Sequence, residues 1–246
     1  MNENRQANPE YIFRINKTLD YIESNLENPM SLDELAGVAN FSKFHFNRIF
    51  HALLGESPFQ FIMRLRIEKA ATLIRANKNQ SITEIAYKCG FSDLSVFARN
   101  FRKYFRLSAS LYRKMSHEKS NISQTDRNNQ QAGDRPAAYF CPETKTIKWR
   151  TNMKLNKNAE VRVLPEMTVA YLRHIGPYKG NEKLFEQLWN KLFSWAGPRG
   201  LLGGNDFKSL VIYHDDPNVT GEEKLRMSVC ITVPSETKVD GETGKM

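Results

Sequence analysis

The chain has 246 residues, of which 40% are hydrophobic and 26% charged, which is typical of a soluble globular protein of one or two domains. Its formal net charge of +9 is concentrated in the first two thirds of the chain, with −1 in residues 1–10, +7 in residues 11–120, +4 in residues 121–158 and −1 in residues 159–246. The three cysteines are scattered, the N-terminus is polar and no apolar run reaches about 20 residues, so we expect no disulfide framework, metal site, signal peptide or membrane helix. The basic part is typical of a protein that binds a polyanion, and we expect a cytoplasmic protein without a cofactor.

The first elements predicted along the chain are helices. Apolar residues at three- and four-residue steps favour an amphipathic helix over residues 10–27. A capping box of Ser31 and Glu34 then begins a short helix, 32–39, and a break at Asn40 and Phe41 separates it from a second helix, 43–54. We expect Ser42 to cap this second helix, Gly55 to close it, and a longer helix to occupy residues 58–76.

The pattern of residues 31–57 then repeats. "SITEIAYKCGFSDLSVFARNF" has the same capping box, with Ser81 and Glu84 in place of Ser31 and Glu34, and we expect Ser92 to cap its second helix. Two helix pairs with matched caps and a shared break are typical of two helix-turn-helix units joined by the 58–76 helix. Nine positions are identical in the two copies: Ser31/Ser81, Glu34/Glu84, Ala36/Ala86, Phe41/Phe91, Ser42/Ser92, Phe46/Phe97, Arg48/Arg99, Phe50/Phe101 and Ser57/Ser108.

The chain changes character after residue 115. Residues 116–158 are mostly polar and unpatterned, so we interpret them as a linker. Within them "YFCPETKTIKW" fits either a short strand or an anchor on a neighbouring domain.

From residue 159 the hydrophobic period becomes two, which predicts strands at 159–165, 167–176, 207–216 and 226–234. The stretch "KLFEQLWNKLFSWAG" predicts a helix after the second of these strands. Residues 159–246 therefore predict a small α+β domain with a strand-helix-strand-strand order.

A helix-turn-helix unit places its second helix in the major groove of DNA, so two units in one chain predict contacts to two successive groove segments about 34 Å apart. The motif "GFSDLSVFARNFRKYFRLSASLYR" and the paired units resemble the DNA-binding domain of the AraC/XylS family of bacterial transcription regulators over residues 10–115. Arg106 stands where the family pattern has Gly, and Ala109 where it has Pro. The loss of the Gly predicts a longer or strained end of the preceding helix.

The resemblance implies that the exposed face of each second helix contacts bases. Asn pairs with adenine, Arg with guanine, and a Phe meets the thymine methyl group. For Arg48 and Arg99 a phosphate contact or an intradomain ion pair remains an alternative, and for His45 a solvated position. The DNA-contacting residues carried over are Lys43, Phe44, His45, Asn47 and Arg48 in the first unit, and Asp93, Leu94, Ser95, Ala98 and Arg99 in the second.

The C-terminal part resembles a gyrase-inhibitor-like effector domain, on "YLRHIGPY", "FEQLW" and "VIYHDDPNVTGEEKLRMSVCITV". Such domains consist of two strand-helix-strand-strand units, and this chain contains one, so we expect only the first half of the domain. The sheet of a lone unit has an open face and an open edge. The resemblance implies binding of a small hydrophobic or cationic compound by aromatic side chains that share one helix–sheet layer, namely Tyr171, Tyr178, Trp189 and Tyr213.

These features predict a multidomain protein with an all-α double helix-turn-helix domain at 10–115, a linker at 116–158 and the first half of an α+β effector domain at 159–246. We expect a sequence-specific transcription regulator, an activator, that binds double-stranded DNA, RNA polymerase and a small-molecule effector, and not a membrane. One alternative is an architectural or non-specific DNA-binding protein, and another is a small-molecule sequestrant or hydrolase. We predict no enzyme, because no triad, phosphate loop or metal cluster is apparent.

Overall fold

The computed structural model describes residues 8–116, 137–141, 146–150, 165–204 and 206–246. The chain forms two compact units, of which one comprises Met1–Arg113 with Met167–Met246 and the other Lys114–Glu166. In the second unit, β1 (Ala137–Cys141) and β2 (Thr146–Arg150) pair antiparallel, so the described residues of the motif left open above lie in strands. The strand expected at 159–165 lies outside the described residues except for Pro165.

The first half of the larger unit is helical, as the sequence predicts. Helix α4 joins two hydrophobic cores: its N-terminal half packs with α1, α2 and α3, and its C-terminal half packs with α5 and α6. The helices are α1 (Pro9–Ser24), α2 (Leu32–Val38), α3 (Lys43–Leu54), α4 (Pro58–Ala76), α5 (Ile82–Lys88), α6 (Leu94–Phe105) and α7, which is helical over 109–116.

The two helix-turn-helix units have matching geometry. Both predicted capping boxes are present, at Ser31 and Ser81. In each unit the Phe that follows the turn donates its amide to the buried Ala five residues earlier, with N···O distances of 3.0 Å and 3.1 Å. The turn residues Asn40 and Gly90 both have left-handed backbones, with φ of 51° and 81°.

The cap of α6 differs from the prediction. Ser42 caps α3 as expected, by accepting the His45 amide. In the second unit the cap is Asp93 and not Ser92, because one Asp93 carboxylate oxygen accepts both the Ser95 and Val96 amides, at 2.6 Å and 3.3 Å. The extra residue of the second copy therefore lies before the cap, and Asp93 is the structural counterpart of Ser42.

The C-cap positions of α3 and α6 are also equivalent and hold different residues. Gly55 closes α3 with φ of 69°, and Arg106 closes α6 with φ of 59°. The helix does not lengthen at Arg106, so the missing glycine leaves a strained residue in the left-handed region.

The C-terminal part of this unit is a four-stranded antiparallel sheet with one long helix. Strand order is β4–β5–β3–β6, and the last strand, which the polar end of the sequence did not predict, pairs with β3 at what was expected to be an open edge. Helix α8 covers the face that contains Leu172, Met227 and Val229. The elements are β3 (Val169–Ile175), α8 (Glu182–Ala196), β4 (Ser209–Tyr213), β5 (Arg226–Thr232) and β6 (Gly244–Lys245).

The face of the sheet opposite α8 was expected to be open, and this is wrong. It packs against α1 through charged and polar groups. The buried Tyr171 donates its hydroxyl to Asp20 at 2.5 Å, and Arg173 donates to the other oxygen of Asp20 at 2.7 Å. Alternation along β3 explains this, because Tyr171 and Arg173 face away from α8 while Ala170 and Leu172 face towards it.

A second carboxylate of α1 meets the same face. Glu23 accepts from Arg226 and lies 3.2 Å from His214 Nδ1. The Arg226 guanidinium is buried, also binds Asp215 at 2.6 Å and 2.9 Å, and lies 5.2 Å from the ring centre of Phe61. Burial alone would raise the pKa of Glu23, but His214, Arg226 and Arg173 together lower it from 4.5 to about 2.

Two cysteine thiols are buried in different parts of this unit. Cys89 lies in the core of the second helix-turn-helix unit, and Cys230 lies on the sheet face that packs against α1. Burial raises the pKa of Cys89 to about 11 and that of Cys230 to about 12.

We expect Arg106→Gly to stabilise the protein by about 0.5–1 kcal/mol, because glycine adopts the left-handed backbone without the Cβ clash. The measurement is the free energy of unfolding in urea. The matched control is Gly55→Ala at the equivalent position, which should destabilise by a similar amount. A loss of stability in Arg106→Gly would show that the arginine side chain offsets the strain.

The lowered pKa of Glu23 predicts a pH dependence. A carboxylate whose folded pKa is depressed stabilises the fold fully above its unfolded pKa, and the effect is lost as pH falls through the folded pKa. Stability on the order of 2 kcal/mol should therefore disappear between about pH 4.5 and pH 2. The free energy of unfolding should fall more steeply with decreasing pH in the wild type than in Glu23→Gln. Equal slopes would contradict the lowered pKa of Glu23.

Candidate nucleic-acid interface

Helix α3 buries one side and exposes the other. Phe46 and Phe50 are fully buried in the first core. The side chains at i, i+1, i+4, i+5 and i+8 from Lys43 therefore share one exposed face, and Phe44 at its start is 91% exposed. The residues on this face are Lys43, Phe44, Asn47, Arg48 and His51.

His45 does not belong to this face, although the resemblance implied a base contact. Its ring is partly buried, stacks on Phe41 with 4.8 Å between centroids, and meets the edge of Tyr11 at 5.5 Å. Its Nε2 atom is buried and has no hydrogen-bond partner among the residues that the structure describes. His45 therefore packs the turn against α1 and is not available to read bases in this conformation.

Helix α6 exposes an equivalent face. Phe97 and Phe101 are buried, so the steps that begin at Leu94 point outwards. Asp93 lies just before this face, with one carboxylate oxygen engaged in capping. The outward residues are Leu94, Ser95, Ala98, Arg99 and Arg102, with Lys103 beside them.

Counted from the two caps, the faces align residue by residue, but their chemistry differs. The first unit presents Asn47 where the second presents Ala98, and Phe44 where the second presents Ser95. Arg48 and Arg99 are equivalent, both exposed, and neither has an ion-pair partner among the described residues. The alternative of an intradomain ion pair for these arginines is therefore not supported. Lys43 pairs with the exposed Asp33 at 2.6 Å.

Three basic residues on these faces were not identified from the sequence. His51, Arg102 and Lys103 continue the same helical steps into the last turns of α3 and α6. Counting steps of four and eight residues along the helix from Lys43 and Leu94 would have identified these positions from the sequence. Arg102 and Lys103 add positive charge to the face of α6, which has fewer long polar side chains than the face of α3.

Of the four aromatic residues expected to share one layer, the structure separates Tyr171 from the other three. Tyr171 lies on the sheet face against α1, for the reason given above. Trp189, on α8, is partly buried and stacks on Phe193 at 5.3 Å. Tyr178 lies in the same helix–sheet core as Trp189, and Tyr213 packs on Tyr178 with ring centroids 5.4 Å apart.

Tyr213 also lines a cavity of about 500 Å³ between helices α1 and α4 and the β4–β5 connection. Its walls combine apolar side chains with carboxylates. Lining residues include Leu26, Leu65, Glu68, Tyr213, Asp216 and Arg226. Burial raises the pKa of Glu68, which the charge of Arg64 opposes.

Comparison with known proteins gives two family matches. Residues 35–115 match a family described as "Helix-turn-helix domain", and residues 157–245 match a "GyrI-like small molecule binding domain". In the described part of the chain, no helix combines the length and apolar character needed to span a bilayer.

Three similar proteins illustrate the match. The HTH-type transcriptional activator AarP of Providencia stuartii is 36% identical over 99 residues, 40% of this chain and 73% of AarP. The probable transcriptional regulator LumQ of Photobacterium leiognathi is 34% identical over 101 residues, 40% of this chain and 40% of LumQ. A crystal structure of an AraC-type transcriptional regulator from Chromobacterium violaceum is 27% identical, covers 42% of this chain and 91% of that chain, and has a TM-score of 0.39.

The paired units, their two exposed helix faces and the identity to AarP over most of its length lead to one conclusion. The chain belongs to the AraC/XylS family of helix-turn-helix transcription regulators and has a GyrI-like small-molecule-binding domain after its DNA-binding domain.

Proposed function

We propose that this protein is a sequence-specific transcription activator that binds one DNA site with both helix-turn-helix units and responds to a small molecule. The observation that carries the proposal is the pair of equivalent exposed faces on α3 and α6. A major groove admits one helix, and two such faces in one chain suit two groove segments without a dimer.

The two units would read DNA unequally. In the first unit, Asn47 and Arg48 have the side chains that pair with adenine and guanine edges, and Phe44 suits a thymine methyl group. In the second unit, Ala98 and Ser95 offer little hydrogen-bonding reach, so Arg99, Arg102 and Lys103 mainly supply phosphate contacts. The expected site is therefore asymmetric, with its sequence information concentrated in one half.

The proposal includes the domain boundaries and the partners of the protein. We place the DNA-binding domain at 10–115, the linker at 116–158 and the effector domain at 159–246. An activator acts on promoters in the cytoplasm of a bacterium and contacts RNA polymerase there. The name of AarP as an activator supports this direction of control.

The C-terminal domain would act as a sensor and not as a hydrolase. The matched family is described as small-molecule binding, and the Tyr178–Tyr213 pair supplies aromatic surface for a flat or cationic compound. The walls of the cavity beside Tyr213 contain four carboxylates and the two basic side chains of Lys69 and Arg226, and this excess of negative charge suits a positively charged compound better than an anion. Incubation of candidate compounds with the protein, followed by mass spectrometry, should recover them unchanged.

The experiment that tests the proposed function is selection of duplexes from a random pool by the full chain, followed by titration with competitor DNA. We expect a selected site to be bound at least about 10³-fold more tightly than random duplex at physiological salt, with both affinities falling steeply as salt rises. An architectural DNA-binding protein would lose its selected site to an excess of random duplex.

The asymmetry predicts different outcomes for two equivalent arginines. Arg48→Ala should weaken binding to the selected site by about 1–3 kcal/mol and relax preference at one position. Arg99→Ala should weaken selected and random duplexes about equally, because a phosphate contact carries no base information. Gel-shift titrations of both variants on both duplexes give the four affinities. If Arg48→Ala loses the same affinity on selected and on random DNA, Arg48 does not contact a base.

A further inference from the structure

One segment of the chain contacts both helix-turn-helix turns. We call helix α1 and the residues that follow it, 9–28, the N-terminal segment. At its front, Arg14 donates to the carbonyl of the turn residue Asn40 at 2.8 Å, and its guanidinium lies 5.0 Å from the ring centre of Phe41. Tyr11 meets the edge of the same ring at 5.3 Å and also contacts His45 of α3. The first turn therefore rests on the front of α1.

The end of the N-terminal segment contacts the second turn. Gly90 is the counterpart of Asn40, and a Cβ at this position would lie 2.7 Å from the carbonyl oxygen of Leu26. Arg66 of α4 holds this end in place by donating to the carbonyls of Leu26 and Asn28 at 2.9 Å and 2.7 Å. The second turn therefore has no room to move towards the segment.

The C-terminal sheet holds the N-terminal segment between these two contacts. Asp20 and Glu23 lie on α1 between Arg14 and Leu26, and they bind the buried Arg173 and Arg226 of the sheet. A buried arginine that loses its carboxylate strongly destabilises the folded protein. The contact between α1 and the sheet therefore has one favoured arrangement, in which both arginines keep their carboxylates. The sheet therefore fixes where α1 lies along its own axis.

A helix is stiff along its axis, and residues 14 and 24 of α1 are about 15 Å apart at 1.5 Å per residue, with Leu26 in the turn directly after the helix. A shift of α1 therefore changes its contacts with both turns together. We infer that the C-terminal sheet sets the spacing of the two DNA-reading helices through the N-terminal segment, with Asp20 and Glu23 as positioning residues. This inference rests on the proposed binding of both units to one DNA site.

A link to the effector follows from the same geometry. The cavity described above is lined by both Glu23 and Arg226. A compound that enters it competes directly for the ion pair that holds α1. The spacing of the recognition helices would then depend on whether the cavity is filled.

The test uses the full chain and the selected DNA site, compared with duplexes in which one base pair is inserted or deleted between the two half-sites. The quantity measured is the ratio of Kd on altered spacing to Kd on selected spacing. We expect Asp20→Asn and Glu23→Gln to lower this ratio by roughly threefold or more, since loosened coupling tolerates other spacings. Tyr171→Phe, which removes one hydrogen bond to Asp20 and keeps the buried ring, should lower it less.

The matched control is Glu186→Gln, an exposed residue of α8, because it removes the same charge away from α1. It should raise affinity for all duplexes by a similar small factor and leave the ratio unchanged. Circular dichroism in the near ultraviolet checks that each variant is folded. A folded Tyr171→Phe, Asp20→Asn and Glu23→Gln series with the wild-type ratio overturns the inference. If the wild type itself binds no selected site, or shows no spacing preference, the proposed two-unit binding fails instead.

Discussion

The buried guanidinium of Arg226 is the interaction on which the arrangement of this protein depends. It donates hydrogen bonds to Asp215 within its own domain and to Glu23 on α1, and it lies over the ring of Phe61 in the first half of α4. A charge in this position needs carboxylates that stay in place, because an unpaired buried charge is far costlier than an exposed one. The sheet, the first helix and the connecting helix are thus held at one point, and the polar face of the sheet acquires its partner from the helical domain.

Duplication explains much of the helical domain, and the differences between the copies explain the rest. Each unit keeps the capping box, the buried alanine, the two buried phenylalanines and the left-handed turn. These positions serve the fold, and so they are shared. Apart from the shared Arg48 and Arg99, the outward positions are where the copies diverge: Asn47 and Phe44 of the first unit correspond to Ala98 and Ser95 of the second. A common scaffold therefore carries two surfaces of different chemistry.

The helices of the first half were predictable because each begins at a capping residue and repeats an apolar step that packing then confirms. Their outward faces were predictable for the same reason, apart from His45. A histidine next to an exposed phenylalanine looks solvated in the sequence, and only the approach of Tyr11 and Phe41 shows that it is packed.

The main error concerned the far face of the sheet. The sequence shows that Tyr171, Arg173 and Arg226 alternate with apolar residues, but it does not show that Asp20 and Glu23, some 150 and 200 residues earlier, provide their partners. Long-range ion pairs leave no local pattern, so the face was interpreted as open. The short strand β6 was missed because Gly244 and Lys245 lack the apolar alternation of a strand.

The two buried thiols can report local opening of two different parts of this protein. A thiolate is the reactive form of cysteine, and pKa values of about 11 and about 12 leave almost none at neutral pH while Cys89 and Cys230 stay buried. Alkylation at each site therefore proceeds only through local opening. Cys89 reports on the core of the second helix-turn-helix unit, and Cys230 on the sheet face beneath α1. Labelling rates resolved by site would then distinguish the loosening of the DNA-reading domain from the release of the sheet within one molecule.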